Sequence, residues 1–378
     1  MGSWKEVSKK EDVEDAYLKE NDRRFHQAAN TDLMHPEVIK VLGHYGCSDE
    51  ATNLLQTGDL GTLPEFLNDP SLAYLRECRL PYEIRRHGIF SMDFSTPSHQ
   101  QGWQKMNEET SSSRSTIHFG HYITRSKDDE LAAMDAAMAR IPAISGYSPL
   151  RWRQGLNVVL EKKPGENRVD KLRTILLYEA DYNHNNKHMA RSFMTNAERY
   201  RLLAPEHYGS RKHHNAQDQG LNKVLLFDIL RQTRQRAVLN SVDLQSCYDR
   251  IQHTAAGLGM RRVGTPAPII ESSFSTIEKL EHYVRSVYGD STKSFSSRGD
   301  DQPNQGVGQG NGAGPGIWAV VSTPIFDSMR RRGYGIYLQC PLSGEDFHFI
   351  GYAFVDDTDL CTSDDPTKPV PESIIPRV

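Results

Sequence analysis

The sequence predicts an α+β fold, and three observations carry that prediction. The first 145 residues read as mostly helical, with polar breaks at Gly58-Asp59 and around Ser111 to Ser113. From Gly155 onward, short apolar and β-branched runs alternate with longer helical stretches. The chain then ends its last apolar run, Phe347 to Val355, on two adjacent carboxylates, Asp356 and Asp357, before Leu360-Cys361-Thr362 resumes as a second strand. That order places the two acids in a hairpin turn. Adjacent carboxylates at the end of a buried strand repel and resist desolvation, and a hard divalent cation offsets both costs. The structural alternative is an acidic surface turn, since Asp is common in turns.

Length and composition set the bounds. The 378 residues suffice for two or three domains and a sizeable core. A hydrophobic share of 37% beside 25% charged residues describes a folded globular chain. No apolar run is long enough to span a membrane, and the start, Met1 to Glu6, lacks the apolar stretch of a secretory signal. Five scattered cysteines, none spaced as Cys-x-x-Cys, argue against a disulfide framework and a zinc ribbon and suit an intracellular setting. The net charge of −4 hides an asymmetry. Residues 151–236 hold 17 Lys and Arg against 9 Asp and Glu, which predicts a basic face able to neutralise phosphates.

Within the helical first third, the spacing of Leu131, Met134, Met138 and Ile141 predicts a helix over Asp129 to Ile141 with that stripe in the core. His118 and His121 read as a structural pair. Leu156 to Leu160 and Leu172 to Leu177 predict two strands joined by the turn Glu161 to Glu166, and this hairpin carries Lys162, Lys163, Lys171 and Arg173. His184 and His188 share the spacing of a metalloprotease helix, but Asn185 stands where the catalytic Glu is required, so that motif is rejected. Helices follow over Asn186 to Leu203 and Asn215 to Arg236, the second with Leu221, Val224, Leu225 and Ile229 expected inward.

A strand then ends at Asp243, and Tyr248 and Asp249 follow as the chain turns into a helix. Asp243 reads equally as a second metal ligand or a helix cap. Helices are expected near Gln252 to Arg262 and Ala267 to Tyr288. From Gln305 to Gly316 glycine recurs at every second position, a loop without side chains on which a flat base or a sugar-phosphate can lie. No strand precedes it and no Gly-Lys-Ser/Thr occurs, so neither a dinucleotide fingerprint nor a P-loop is assigned. A helix from Ile317 to Arg332, stopped by Gly333, and a strand from Tyr334 to Cys340 lead into the acidic hairpin.

In this order the basic hairpin, Asp243-x4-Tyr248-Asp249, Gln309-Gly310 and Phe354-Val355-Asp356-Asp357 resemble the polymerase domain of reverse transcriptases from non-long-terminal-repeat retrotransposons. The resemblance covers about Gly155 to Thr362. It implies a right-hand architecture of fingers and palm, with an antiparallel palm sheet backed by helices and the thumb missing. It divides the chain into a helical extension of unassigned role (1–145), fingers (146–236), a palm with the catalytic hairpin (237–363) and a disordered tail (364–378).

The implied activity is RNA-directed DNA polymerisation by two-metal nucleotidyl transfer. Asp243 and Asp356 become the shared metal ligands, Asp357 their neighbour and the Leu244 carbonyl a main-chain ligand for two Mg²⁺ ions, replaceable by Mn²⁺. Tyr248 is implied as the steric gate against ribonucleotides. Gln309 and Gly310 would lie beneath the incoming nucleotide, and Arg173 with Lys162 or Lys163 would meet its triphosphate. The implied partners are an RNA template, a DNA primer and deoxynucleoside triphosphates. The glycine run departs from the family's usual Gln-Gly-Cys-Pro. The chain stops soon after Asp357, so a fragment of a retroelement polyprotein is expected. The alternative function is a catalytically silent nucleic-acid-binding remnant using the basic face.

Overall fold

A computed structural model describes residues 5–111, 113–299 and 302–364; of the expected tail 364–378, Asp364 ends a strand and residues 365–378 lie outside the described residues. Eight helices fill the first part of the chain: α1 (Lys10–Phe25), α2 (Pro36–Leu42), α3 (Asp49–Thr57), α4 (Asp69–Glu77), α5 (Tyr82–His87), α6 (Thr96–Gln104), α7 (Phe119–Arg125) and α8 (Asp129–Ser145). Their ends follow local chemistry. Ser48, Asn68, Ser95 and Asp128 each accept a backbone N–H at an N-terminus, and Gly58 and Gly146 close α3 and α8 in the left-handed conformation.

The strands and remaining helices alternate: β1 (Gln154–Leu160), β2 (Arg173–Leu177), α9 (Ala180–Arg199), α10 (Ala216–Thr233), β3 (Arg236–Asp243), α11 (His253–Arg262) and α12 (Ala267–Glu278). They continue as β4 (Glu281–Ser286), β5 (Gly289–Asp290), α13 (Gly314–Arg331), β6 (Ile336–Gln339), β7 (Asp346–Phe349), β8 (Gly351–Phe354) and β9 (Asp357–Asp364). The expected α+β class therefore holds.

Among the described residues three sheets form, with strand orders β2-β1-β4-β5, β3-β9-β8 and β6-β7. The expected hairpin is β1 against β2, with Leu160 opposite Arg173. The expected helix over Ala267 to Tyr288 is too long. It stops at Glu278, and β4 pairs in parallel with β1, so the sheet that carries the hairpin also takes in residues 281–290. The strand signal was present there: His282 and Val284 are buried between exposed Glu281 and Arg285. The run from Phe347 to Val355 is likewise two strands in two sheets, divided at buried Ile350.

The largest core cluster joins α9, α11, α12 and α13 around Phe193, Phe274, Met260 and Ile317. A second cluster packs α2, α3 and α4 onto Ala255 and Leu258 of α11, so these N-terminal helices lie against the helices that back the sheets. Two expected apolar stripes face outward. On α8, Leu131, Met134, Met138 and Ile141 are exposed, while small Ala132 and Ala136 are buried. On α10, Leu221, Val224, Leu225 and Ile229 are exposed, while Leu226 and Leu230 pack with Ile336, Tyr352 and Cys361. Polar anchors select that face: Asn222 donates to the Tyr208 hydroxyl (2.8 Å), Tyr352 donates to the Asn222 carbonyl (3.0 Å), and Lys223 pairs with Asp359.

Part of the expected basic face is engaged in ion pairs within the segment itself. Arg151 pairs with Glu179 and Asp181, Arg168 with Asp170, Arg211 with Glu198 and Arg231 with Asp228. The cations of the hairpin turn are different. Lys162, Lys163 and Arg173 are exposed and form no ion pair among the described residues. The two histidine pairs are structural. His121 Nδ1 accepts the His118 N–H at the start of α7, and His184 stacks on Trp103 at 4.1 Å.

Candidate active site

The acids of the sequence pattern meet at one end of the β3-β9-β8 sheet. β3 and β9 run antiparallel with Asp243 opposite Asp357, and β9 and β8 pair Asp357 with Phe354. Directly opposed ladder residues have Cα atoms about 4.5–5.5 Å apart and side chains on the same face. Asp356 occupies the two-residue turn with Val355, so all three carboxylates gather at this edge. Asp243 and Asp357 are exposed and Asp356 is half-buried. The sequence-based premise of a desolvated acid pair is therefore corrected: these carboxylates stand at the open end of the sheet, Asp357 exposed where β9 begins and Asp356 half-buried in the turn, with Asp243 on the outer strand β3.

Among the described residues no group of three His, Cys, Asp or Glu side chains is drawn together closely enough to hold a metal ion. The donor chemistry fits one. The three acids and the neighbouring backbone supply only oxygens, the ligand type that Mg²⁺ prefers, and none of the three carboxylates is committed to an ion pair. Asp359, two residues on, is committed: it pairs with Lys223 and accepts from Ser241.

The turn itself is strained. Val355 has φ of 59°, a conformation that β-branched residues avoid. A positive φ at the first central residue alone is the pattern of a II′ hairpin turn, which matches the twist of the strands it joins. Three neighbours hold it. The Trp318 indole on α13 donates to the Val355 carbonyl at 2.6 Å. Gly209 backs onto the turn so closely that a Cβ there would lie 2.6 Å from the Val355 nitrogen. The segment Glu206–Tyr208 closes the far edge of β8 through Ala353 N–H to Glu206 O and Tyr208 N–H to Ala353 O, both 2.8 Å. Sequence reasoning missed Trp318 and Gly209; each lies far along the chain from the acids it serves.

Beyond β3 the chain passes Leu244, half-buried, and winds into a 3-10 turn over Cys247–Arg250. The Tyr248 ring packs over Gly314 at the start of α13, whose Cβ position would lie 3.7 Å from it. Burial, with Cys247 and Asp356 beside it, pushes the Tyr248 phenol up. Burial also pushes the Cys247 thiol up, with Asp356 and Asp249 adding to it. Tyr248 therefore stands within electrostatic reach of the acidic turn. Asp249 is buried, and burial pushes its carboxyl up to about 6 against the pull of Arg24, Arg250 and Lys162. Lys162 thus lies within electrostatic range of the 3-10 turn. Lys163 and Arg173 lie on the same hairpin but form no ion pair with the three acids among the described residues.

The glycine-rich loop is built against the protein rather than left bare. Gly306 N–H donates to Ile251 O (2.8 Å), Val307 N–H to Tyr248 O (2.8 Å) and Leu176 N–H to Gln309 O (2.6 Å). Tyr178 donates to the Val307 carbonyl at 2.9 Å, and Asn183 both donates to Gly310 O (3.0 Å) and accepts from Gly312 N–H (2.7 Å). A Cβ on Gly306 would lie 2.8 Å from the Asp249 backbone, and one on Gly310 would lie 2.3 Å from the Leu176 carbonyl. The alternate glycines are thus explained first by close approach to β2 and the 3-10 turn. Gln309 is half-buried and Gly310 exposed at the loop's outer point, with Tyr248 and β2 tied to the same loop.

The structure thus places Asp243, Asp356 and Asp357 at one end of one sheet, links Gln309 and Gly310 to Tyr248 through one hydrogen-bonded loop, and carries Lys162, Lys163 and Arg173 on the β1–β2 hairpin. No curated protein sequence matches the chain significantly. The family described as reverse transcriptase (RNA-dependent DNA polymerase) matches residues 160–370, which span the basic hairpin, the Asp243 strand, the glycine loop and the acidic turn. On that match, the chain belongs to the reverse transcriptase family.

Proposed function

We propose that the chain is the fingers and palm of an RNA-directed DNA polymerase of the non-long-terminal-repeat retrotransposon type, transferring deoxynucleotides to a primer 3′-hydroxyl. The observation that carries this reading is the register of Asp243 against Asp357 with Asp356 in the adjoining strained turn. Residues 146–236, with the returning strands 281–290, serve as fingers, and the rest of 237–363 as palm.

Asp243 and Asp356, with the Leu244 carbonyl, are the residues that would hold Mg²⁺, and Asp357 adds negative charge beside them. When bound, the ions activate the primer hydroxyl and stabilise the leaving pyrophosphate. The chain's own groups do the positioning. The β1–β2 turn presents Lys162 and Lys163, and β2 presents Arg173, as uncommitted cations for a triphosphate. The loop at Gln309-Gly310 forms a fixed floor for the nucleotide, since its carbonyls are already bonded to β2 and α9. Tyr248, propped on Gly314, fills the volume a ribose 2′-hydroxyl would need. RNA template and DNA primer are the partners this arrangement serves.

The test is Mg²⁺-dependent primer extension on an RNA template. Asp243→Ala and Asp356→Ala should each lower the rate on the order of 10³-fold. Tyr248→Ala should admit ribonucleotides. Extension that survives both acid substitutions undiminished removes the metal assignment, and unchanged sugar discrimination removes the gate.

A further inference from the structure

From the packing of the N-terminal helix we propose that Arg24, assisted by Asn21, is a positioning residue for nucleotide binding: it fixes Arg173 of β2 in the direction that meets a triphosphate. This rests on the polymerase reading of Arg173 given above.

Arg24 is a buried arginine at the last turn of α1, only 7% exposed. A buried guanidinium is tolerated when its donors are placed, and here they are. Nε donates to Glu20 (3.1 Å), Nη1 to the Thr174 hydroxyl (3.0 Å), and Nη2 to the Leu172 carbonyl (3.0 Å) and the Val169 carbonyl (3.5 Å). Thr174 in turn donates to Asn21 Oδ1 (2.9 Å), one helical turn back on α1. The fork therefore grips the chain on both sides of Arg173.

Strand periodicity turns that grip into a direction. In the extended run that enters β2, Leu172 and Thr174 share one face and Arg173 takes the other. Leu172 is 5% exposed and its carbonyl is held by Arg24 of α1, whereas Arg173 is exposed. Holding residues 172 and 174 inward leaves the 173 side chain only the outward course. The next residue of α1 extends the latch to the glycine loop, since Gln305 N–H donates to Phe25 O at 2.9 Å. One helix end thus ties together the strand that bears Arg173 and the loop that bears Gln309.

The experiment measures Mg²⁺–dTTP affinity of the full chain and hydrogen exchange at residues 173–175. Arg24→Gln should weaken dTTP binding about tenfold, the scale of a charge-assisted hydrogen bond. It should also speed exchange at residues 173–175 with no change at Val238 to Val242 of β3. Arg24→Lys keeps the charge without the fork and should restore only part of the affinity. Thr174→Val should shift affinity in the same direction by less, and it carries the test if Arg24→Gln does not fold. Arg24→Gln or Thr174→Val binding dTTP normally while Arg173→Gln binds it weakly would overturn the positioning role and leave the polymerase reading standing. Affinity that does not respond to Arg173→Gln would instead overturn the reading of Arg173, and the inference with it.

Discussion

Under the proposed function the glycine loop and the acidic hairpin form two sides of one site, yet they are held in opposite ways. Around the loop, backbone groups of residues 305–312 are bonded to α1, the 3-10 turn, β2 and α9, and added methyl groups would collide with backbone. At the hairpin, the three carboxylates carry no ion pairs among the described residues, two are exposed, and the turn sits in a strained conformation. The first side is fixed by the chain itself; the second is left open at the sheet's outer strand. Under the proposed function this division has a rationale. A nucleotide floor works by being preorganised, whereas carboxylates that receive cations and a primer end must stay accessible.

The contrast breaks most visibly at Gly310. Its φ is +123° and its Cβ would overlap the Leu176 carbonyl, so Gly310→Ala should cost about 3 kcal/mol or more. Gly165, at +82° but with open space around it, isolates the conformational part, and Gly165→Ala should cost only about 1 kcal/mol. Urea unfolding of the two variants measures the difference. Equal losses would mean that the loop yields, and the rigid side of the comparison would be gone.

Asp249 sharpens the comparison because it is the carboxylate placed on the buried side. Its carboxyl is pushed up to about 6 from an ordinary 3.8, with burial the leading cause. A raised folded-state value means that the folded protein holds the proton more tightly. The associated stability is full below about pH 4 and is lost as pH rises through about 6. That loss is on the order of 3 kcal/mol. Asp249→Asn should therefore flatten the stability–pH curve over that window and leave the variant more stable than the parent at pH 7. Unfolding curves that stay parallel from pH 4 to 7 would show that Asp249 is solvated after all.

Much of this arrangement was legible in the sequence where a signal is local. Apolar, β-branched runs marked β1, β2 and β3, and the two acids between apolar runs marked a hairpin turn, which the structure sets one residue earlier, over Val355 and Asp356, with Asp357 opening β9. What failed was whatever depends on what lies opposite. A stripe such as Leu221, Val224, Leu225 and Ile229 reports amphipathicity but not which face meets a neighbour; Asn222 and Lys223, through Tyr208, Tyr352 and Asp359, turned α10 the other way. The charge balance of residues 151–236 counted cations without showing that Arg151 and Arg211 are turned onto Glu179, Asp181 and Glu198 of the same segment. Glycine spacing identified the loop but not its cause, because Leu176 and Asp249 are distant in sequence. Arg24 was invisible for the same reason, its partners lying about 150 residues away.

A smaller effect is expected at Val355. Replacing it with glycine removes the conformational strain of a positive φ, about 1 kcal/mol or more, and gives up the contacts of one partly buried valine. Val355→Gly should unfold at the same temperature as the parent or slightly higher while extending primers more slowly, because the turn that aims Asp356 loses definition. A stable variant with full extension rate would show that the strain serves no aim.

The smallest expected effect lies at Asp243 itself. Asp243 and Asp357 are like charges directly opposite on an antiparallel ladder, and such pairs destabilise a sheet slightly. Asp243→Asn should therefore raise stability by about 0.2–1 kcal/mol in low salt, with the gain shrinking as ionic strength screens the pair. Added Mg²⁺ should reverse the order. A cation bound between the acids stabilises the parent by mass action and has less to hold in the variant. If Mg²⁺ shifts the melting temperature of both proteins equally, the open side of the site is an exposed strand end and not a cation seat. The stability gain in low salt and the lost response to Mg²⁺ must therefore appear together, because each follows from carboxylates left unpaired at the open end of the sheet.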